Sequence, residues 1–285
     1  MRERAEVLLC DNSELVSIVH EPAIPGDTGL VIIVAGGPQY RVGAHRQFVM
    51  LARQIAAAGL PVIRFDHRGT GDSDGDYRGF TDMDADIRSA IEHLFSTFPS
   101  LAKVVLWGEG ESASAAAYYA HKDARVSGIF LVNPWIRTEA GLAKTYLKHY
   151  YRQRITDPEF WKKVRAGEFS ISASIKSIAT LFYQVISNAG KKEATREPDL
   201  ASLPLPERLE RSLLLFQGEI FVLTSGRDHI AQEYRDFVDG SAKLQSLMAL
   251  ERAKFKEIAE ADHTFSRTAW RVDLFDTTQK WLESN

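Results

Sequence analysis

The 285-residue chain reads as an α/β protein, with a mostly parallel central sheet, helices on both faces and one helical insertion. Three observations predict this class. Short β-branched runs alternate with helix-period stripes along most of the chain. The runs end in loops rich in Gly and Asp, as strands of open α/β sheets do at the edge where ligands bind. The alternation breaks once, between Trp135 and Phe216.

Each element has its own signal. An N-terminal strand is expected to carry Cys10. Leu30–Ala35 (LVIIVA) is apolar on both faces of a strand, the mark of a buried parallel strand, and stops at Gly36-Gly37-Pro38. His45–Ala58 places Phe48, Leu51, Ala52 and Ile55 on one helical face and is stopped by Gly59. Pro61–Phe65 is a second sheet strand. Asp82–Phe98 is a helix with Ile87, Ile91, Leu94 and Phe95 on one face, ended by Pro99. Lys103–Trp107 is a third strand, followed by Gly108-Glu109-Gly110 and the small-residue run Ser112–Tyr119. Gly128–Val132 is a fourth. Beyond the break come the strand Ile220–Thr224, a helix from Ile230, a strand at Phe255–Ile258 and a last helix over Thr268–Leu282. The expected organisation is a core of residues 1–134 and 217–285, with 135–216 as a helical lid inserted into one structural domain.

Charge and cysteine content narrow the function. Lys and Arg total 35 against 38 Asp and Glu, a net charge of −3, so no global basic field argues for nucleic acid. One cysteine, Cys10, excludes an internal disulfide and a Cys-based metal site within the chain. The apolar run Val7–Cys10 is too short for a signal segment, and no stretch approaches ~18 apolar residues. A cytoplasmic protein without stable membrane insertion is expected. Asp72, Asp74 and Asp76 imitate the start of a calcium loop, but Gly75 precedes the third acid and Met83 stands where the closing Glu belongs. No metal and no cofactor are expected.

The string Asp66-His67-Arg68-Gly69-Thr70-Gly71-Asp72-Ser73, D-x-R-G-x-G-x-S after a strand, resembles the α/β-hydrolase superfamily. Its Gly residues suit a tight turn that shapes a loop. The resemblance implies an α/β-hydrolase fold and the chain order nucleophile, acid, histidine. It places the acid at Asp228, after strand Ile220–Thr224, and the histidine at His263, in the loop Ala261-Asp262-His263-Thr264-Phe265. An Asp accepting from one ring nitrogen fixes the tautomer and leaves the other nitrogen as base. Asp262 reads as a solvated loop charge.

The nucleophile position is unusual. In the favoured register, Gly108-Glu109-Gly110-Glu111-Ser112, the nucleophile position is Gly110, which has no side chain. A second register, Gly110-Glu111-Ser112-Ala113-Ser114, makes Ser112 an alternative nucleophile. The spacing from Gly110 to Val126 fits the usual elbow-to-strand span better than that from Ser112. In the favoured register Ser112 and Ser114 are small residues that allow helix and strand to approach.

A narrower resemblance covers residue 5 to the C-terminus. Gly36–Gly43 (GGPQYRVG), Phe65–Gly69 (FDHRG), Asn133–Glu139 (NPWIRTE) and Ala261–Phe265 (ADHTF) look like the exosortase A system-associated hydrolase 1 family, linked to PEP-CTERM and exopolysaccharide systems. Its elbow resembles Gly-x-Cys-x-Ala, so the sequence departs from the pattern at Gly110. The resemblance implies an ester or thioester hydrolase. Its oxyanion hole would use the N–H of Glu111 and that of Gly37, with Gln39 behind it, and Tyr40 and Trp135 would bind substrate. The expected partner is a small-molecule or carrier-bound acyl substrate, hydrolysed with impaired covalent chemistry. A noncovalent His–Asp general-base enzyme and an inactive binding protein are the alternatives. Seven Lys and Arg stand against Asp157 and Glu159 over Lys144–Arg165, interleaved with Tyr146, Tyr150, Tyr151, Phe160 and Trp161. That composition suits a lid helix with a solvated basic face or attraction to an anionic carrier.

Overall fold

The computed structural model describes residues 1–35, 40–137 and 199–284. The chain divides into two units, Met1–Ile136 with Leu205–Asn285, and Arg137–Pro204. Gly37, Gln39 and the basic segment Lys144–Arg165 lie outside the described residues. Of the second unit, the described part is a 3-10 turn, Leu200–Ser202, whose Ala201 N–H is capped by the Asp199 carboxylate.

The first unit is built on eight strands: β1 (Arg2–Cys10), β2 (Ser13–Glu21), β3 (Thr28–Ile32), β4 (Val62–Phe65), β5 (Lys103–Glu109), β6 (Val126–Val132), β7 (Glu219–Ser225) and β8 (Ala253–Ile258). Their order across the sheet is β1-β2-β4-β3-β5-β6-β7-β8. The first two strands are antiparallel to each other and β2 is antiparallel to β4; β3 to β8 run parallel.

Period-two alternation sends successive side chains of the central strands to opposite faces. Val31, Ile63, Leu106, Ile129 and Val222 join one core; Leu30, Val62, Trp107, Phe130 and Phe221 join the other. That two-sided burial is why these strands read as continuous apolar runs. Helix α1 (Gln47–Ala57) and the C-terminal helix α7 (Thr268–Glu283) cover the Trp107 face, through Phe48, Leu51 and Ile55 and through Leu274, Phe275 and Trp281. Helices α2 (Asp84–Thr97), α3 (Glu111–Ala120), α4 (Leu205–Leu215), α5 (His229–Asp239) and α6 (Ala242–Met248) contribute to the other core.

The α/β-class expectation holds, with shifted boundaries. The helix expected from His45 begins at Gln47, because His45 and Arg46 adopt φ of 53° and 61°. Ladder β5 runs past Trp107 to Glu109, so Gly110 is the single residue between strand and helix. Helix α4 falls within the segment expected as lid, yet it buries Leu209 and Leu213 in the core and packs on α3. Arg208 lies 4.1 Å over the Tyr118 ring. The sheet-bearing unit comprises Met1–Ile136 and Leu205–Asn285.

The D-x-R-G-x-G-x-S loop is a structural clamp. Buried Asp66 accepts from Arg41, backbone and side chain, and its carbonyl accepts from the Ser73 hydroxyl. Buried Arg68 makes a forked pair with Asp86 of α2, which raises the guanidinium's affinity for its proton.

Candidate active site

Three strand ends, together with the loop after β8, meet at the site. The first is the junction of β5 and α3. A side chain at Gly108 would overlap the backbone of Ser112 and Ala113, so only glycine lets the helix cross so close to the strand. Gly110 has φ 63° and ψ −122°, a conformation that strains any L residue. Among the described residues, a Cβ there would meet the His263 ring, with Cε1 and Nε2 both at 3.8 Å, an ordinary van der Waals contact. Position 110 therefore faces the imidazole.

Ser112 stands differently. It is fully buried in the first turn of α3, and its hydroxyl donates to the Glu109 carbonyl (2.9 Å) and accepts from the Glu109 N–H (2.8 Å). The hydroxyl closes the strand-to-helix turn, so the structure does not present it as an exposed nucleophile. The Ser114 hydroxyl donates to the Trp135 carbonyl at 2.6 Å, and Trp135 N–H donates to the Gly110 carbonyl at 3.2 Å. Trp135 is thereby held against the elbow, whereas Tyr40 is exposed, with the Arg41 guanidinium 5.7 Å from its ring centroid. The Glu111 N–H heads the first turn of α3, where amides have no intrahelical acceptor.

The second strand end supplies the acid. Asp228 follows β7 and is the N-cap of α5, its carboxylate accepting from Ile230 N–H (3.1 Å) and Ala231 N–H (3.3 Å). The same carboxylate lies 2.8 Å from His263 Nδ1. Burial opposes its charge, but the His263 and backbone hydrogen bonds outweigh burial and hold the carboxyl below the usual Asp range. His263 itself follows β8. Burial pulls its imidazole down, while the hydrogen bond and charge of Asp228, with Glu109 and Asp262, more than reverse this and leave it raised. The side chain keeps 35% of its surface exposed, as an acid–base group that meets substrate must. Asp262 is occupied locally, with one carboxylate oxygen accepting the Ser266 N–H at 2.9 Å.

The third strand end holds residues that sequence reading passes over. Asn133, at the end of β6 with φ 46°, donates to the Ser225 hydroxyl (2.8 Å) and the His263 carbonyl (3.3 Å) and accepts from Ser225 N–H (2.8 Å). One buried amide thus ties β6, β7 and the histidine loop together. Its available signal was an Asn directly after an apolar strand, a residue type that tolerates the left-handed turn. Glu109 and Gln47 are also buried here, Gln47 Nε2 donating to Glu109 Oε2. Burial, only partly offset by His263 and Gln47, pushes the Glu109 carboxyl up to about 7. Among the described residues no group of three or more His, Cys, Asp or Glu is placed to hold a metal ion, and no helix is long and apolar enough to cross a membrane.

The comparisons bear on the fold. Residues 28–168 match the family described as serine aminopeptidase, S33. An esterase from Pyrococcus furiosus is similar in structure, with TM-score 0.65 and 15% identity over 99% of this chain and 90% of that one. An α/β serine hydrolase without a lid from Xanthomonas campestris gives 0.59 and 14% over 100% and 95%. A serine hydrolase homologue from Coxiella burnetii gives 0.57 and 14% over 99% and 98%. No curated protein matches the sequence. Sheet order, elbow and these likenesses together show that the chain has the α/β-hydrolase fold.

Proposed function

We propose that the chain is an acyl hydrolase of esters or thioesters in which Asp228 and His263 drive water directly onto the acyl carbon. One observation carries this reading. Position 110, where α/β hydrolases carry their nucleophile, has no side chain, and its Cβ site lies 3.8 Å from His263 Nε2. Among the described residues, no side chain fills the place of the attacking atom.

In the proposed step His263 Nε2 takes a proton from water as the water oxygen bonds to the acyl carbon. Asp228, fixed by the α5 N-terminus, meets the resulting imidazolium charge. The carbonyl electrons move onto the oxyanion, held by Glu111 N–H at the start of α3, with Gly37 or Gln39 as the second donor that the resemblance implies. The oxyanion then collapses, the leaving group departs with the proton from His263, and no acyl-enzyme forms. Tyr40 and Trp135 would contact the acyl group.

The likeness to esterases and the resemblance to exosortase-associated hydrolases support an ester or thioester over other acyl bonds, and the S33 match keeps a peptide amide as a competitor. The basic Lys144–Arg165 segment suits an anionic acyl carrier. The test is hydrolysis of p-nitrophenyl esters and acyl thioesters by the chain, His263→Ala and Ser112→Ala. Expected are turnover without a burst, loss in His263→Ala and retention in Ser112→Ala. A burst abolished by Ser112→Ala would make Ser112 the nucleophile. Ligand binding without turnover by any form would make the protein a binding module.

A further inference from the structure

Beside the Asp228–His263 pair lies a second carboxyl that the proposed step does not use. Glu109 is the last residue of β5, and alternation along the strand turns it to the same face as Trp107. That face is where α1 begins, with Gln47 preceding Phe48, whose ring meets Trp107 at 5.6 Å. Ala261 and Phe265, which flank His263, are buried in the same core. The sheet thus brings Glu109 and Gln47 to the Trp107 side of the elbow, and Gly110, next to Glu109 in the chain, lies against the His263 ring.

Among the described residues, Gln47 Nε2 donates to Glu109 Oε2, but Glu109 Oε1 and Gln47 Oε1 are both buried without a hydrogen-bond partner. Two orphan acceptors on a paired carboxyl and amide are reconciled by one proton: a carboxylic acid O–H donating to the amide oxygen closes a two-bond ring. A carboxylate there would instead leave both oxygens unpaired, a cost that burial makes large.

We propose that Glu109 is a positioning residue with two states, a neutral acid locked to Gln47 and a carboxylate that acts with Asp228 as second countercharge to the His263 imidazolium. No proton passes between Glu109 and substrate; the carboxylate acts through the ring. The charges that act on it are His263, which favours its anion, and Asp228 and Asp262, which oppose it, while the neutral amide of Gln47 from α1 donates to it. Burial pushes Glu109 up to about 7 and His263 is raised above its ordinary value, and the charge of each favours the charged form of the other. This inference rests on the His263 general-base reading but is testable apart from it.

The experiment is a histidine NMR titration of His263 in the whole chain, compared with Glu109→Gln and Gln47→Leu. Glu109→Gln keeps shape and amide pairing but removes the anion, so the His263 pKa is expected to fall by roughly one unit. Gln47→Leu removes the amide to which the neutral acid is locked, so the Glu109 midpoint is expected to move while the Asp228–His263 pair stays in place. A second readout is the acid limb of the kcat/KM profile, which moves to lower pH in Glu109→Gln. If either variant is poorly folded, carbon-13 titration of the Glu109 carboxyl in the unmodified chain decides, with a midpoint near 7 expected. An unmoved His263 pKa, or a Glu109 carboxyl that titrates in the ordinary range, overturns the proposal. Neither result requires turnover, so a failed hydrolase assay leaves it standing or falling independently.

Discussion

Restoring a nucleophile at position 110 is the most direct test of the site. The Gly110→Cys substitution adds a Cβ whose neighbours within 4 Å, among the described residues, are His263 Cε1 and Nε2, both at 3.8 Å, an ordinary van der Waals contact. One further bond brings the sulfur within hydrogen-bonding reach of Nε2, and an imidazole partner generates thiolate. The backbone sets the cost. A non-Gly residue at φ 63°, ψ −122° carries strain of about 1–3 kcal/mol, and each kcal/mol lowers Tm by roughly 2–4 °C in a domain of this size. Gly110→Ala bears the same strain without the thiol and isolates that cost. The gain is in rate. Removing the nucleophile from such units costs up to about 10⁶-fold, so supplying one should raise ester turnover by about 10³-fold or more. The assay is stopped-flow hydrolysis of a p-nitrophenyl ester with mass spectrometry of the acyl adduct. Expected are a burst equal to the enzyme concentration, an adduct on the introduced thiol, and loss of both in Gly110→Cys/His263→Ala. No burst and no adduct in a folded Gly110→Cys protein would refute the placement of the elbow. So would a thermal loss in Gly110→Cys absent from Gly110→Ala.

Three further outcomes follow from the geometry. Asp228→Asn retains a good helix N-cap but loses the charge at 2.8 Å from Nδ1, so activity should fall by about 10³–10⁴-fold with little change in Tm. Asn133→Ala leaves buried Ser225 groups unpaired and should cost about 1–3 kcal/mol in chemical denaturation while lowering kcat more than it raises KM. Arg68→Ala strands the buried Asp86 carboxylate and should cost about 3–5 kcal/mol, with retained activity in whatever fraction stays folded.

What the sequence revealed and what it hid divide along physical lines. Strands β3 to β7 were visible because burial on both faces demands apolar residues at every position, and the helices because one-sided burial imposes a stripe. Asp228 and His263 were pointed to by the chain order that the resemblance implies, each in a short loop after a strand. Helix α6, with Leu244 and Leu247 as its buried residues, is too short to show a stripe. The Gln47–Glu109 pair spans 62 residues and joins two polar side chains that local periodicity counts as surface. Asn133 likewise acts across 92 residues on Ser225. Pairings of this kind are set by sheet order, which fixes strand-end neighbours only after the whole chain is laid out.

The buried carboxyl also leaves a signature in stability against pH. Glu109 is held at about 7 in the folded chain, above the ordinary Glu value of about 4.3 expected on unfolding. A group raised in the folded state contributes stability fully below its unfolded value and loses it as pH rises through its folded value. Between about pH 4.5 and 7, Glu109 should therefore destabilise the chain progressively, by about 4 kcal/mol in all. The raised His263 acts in the same direction, its contribution fading as pH climbs past its folded value. Asp228 acts oppositely, being depressed, and its contribution is lost only as pH falls below the ordinary carboxylate range. Subtracting the Glu109→Gln curve from the parent's isolates Glu109 together with its coupling to His263. Urea melts should show the variant gaining on the parent from pH 5 to 8 and overtaking it on the alkaline side. Parallel curves across that range would mean that Glu109 ionises normally. A carboxyl that weakens the fold at the pH where its neighbour must accept a proton is costly for packing alone. Gln or Leu would serve a purely structural role better, so the charge at 109 is most readily understood through His263.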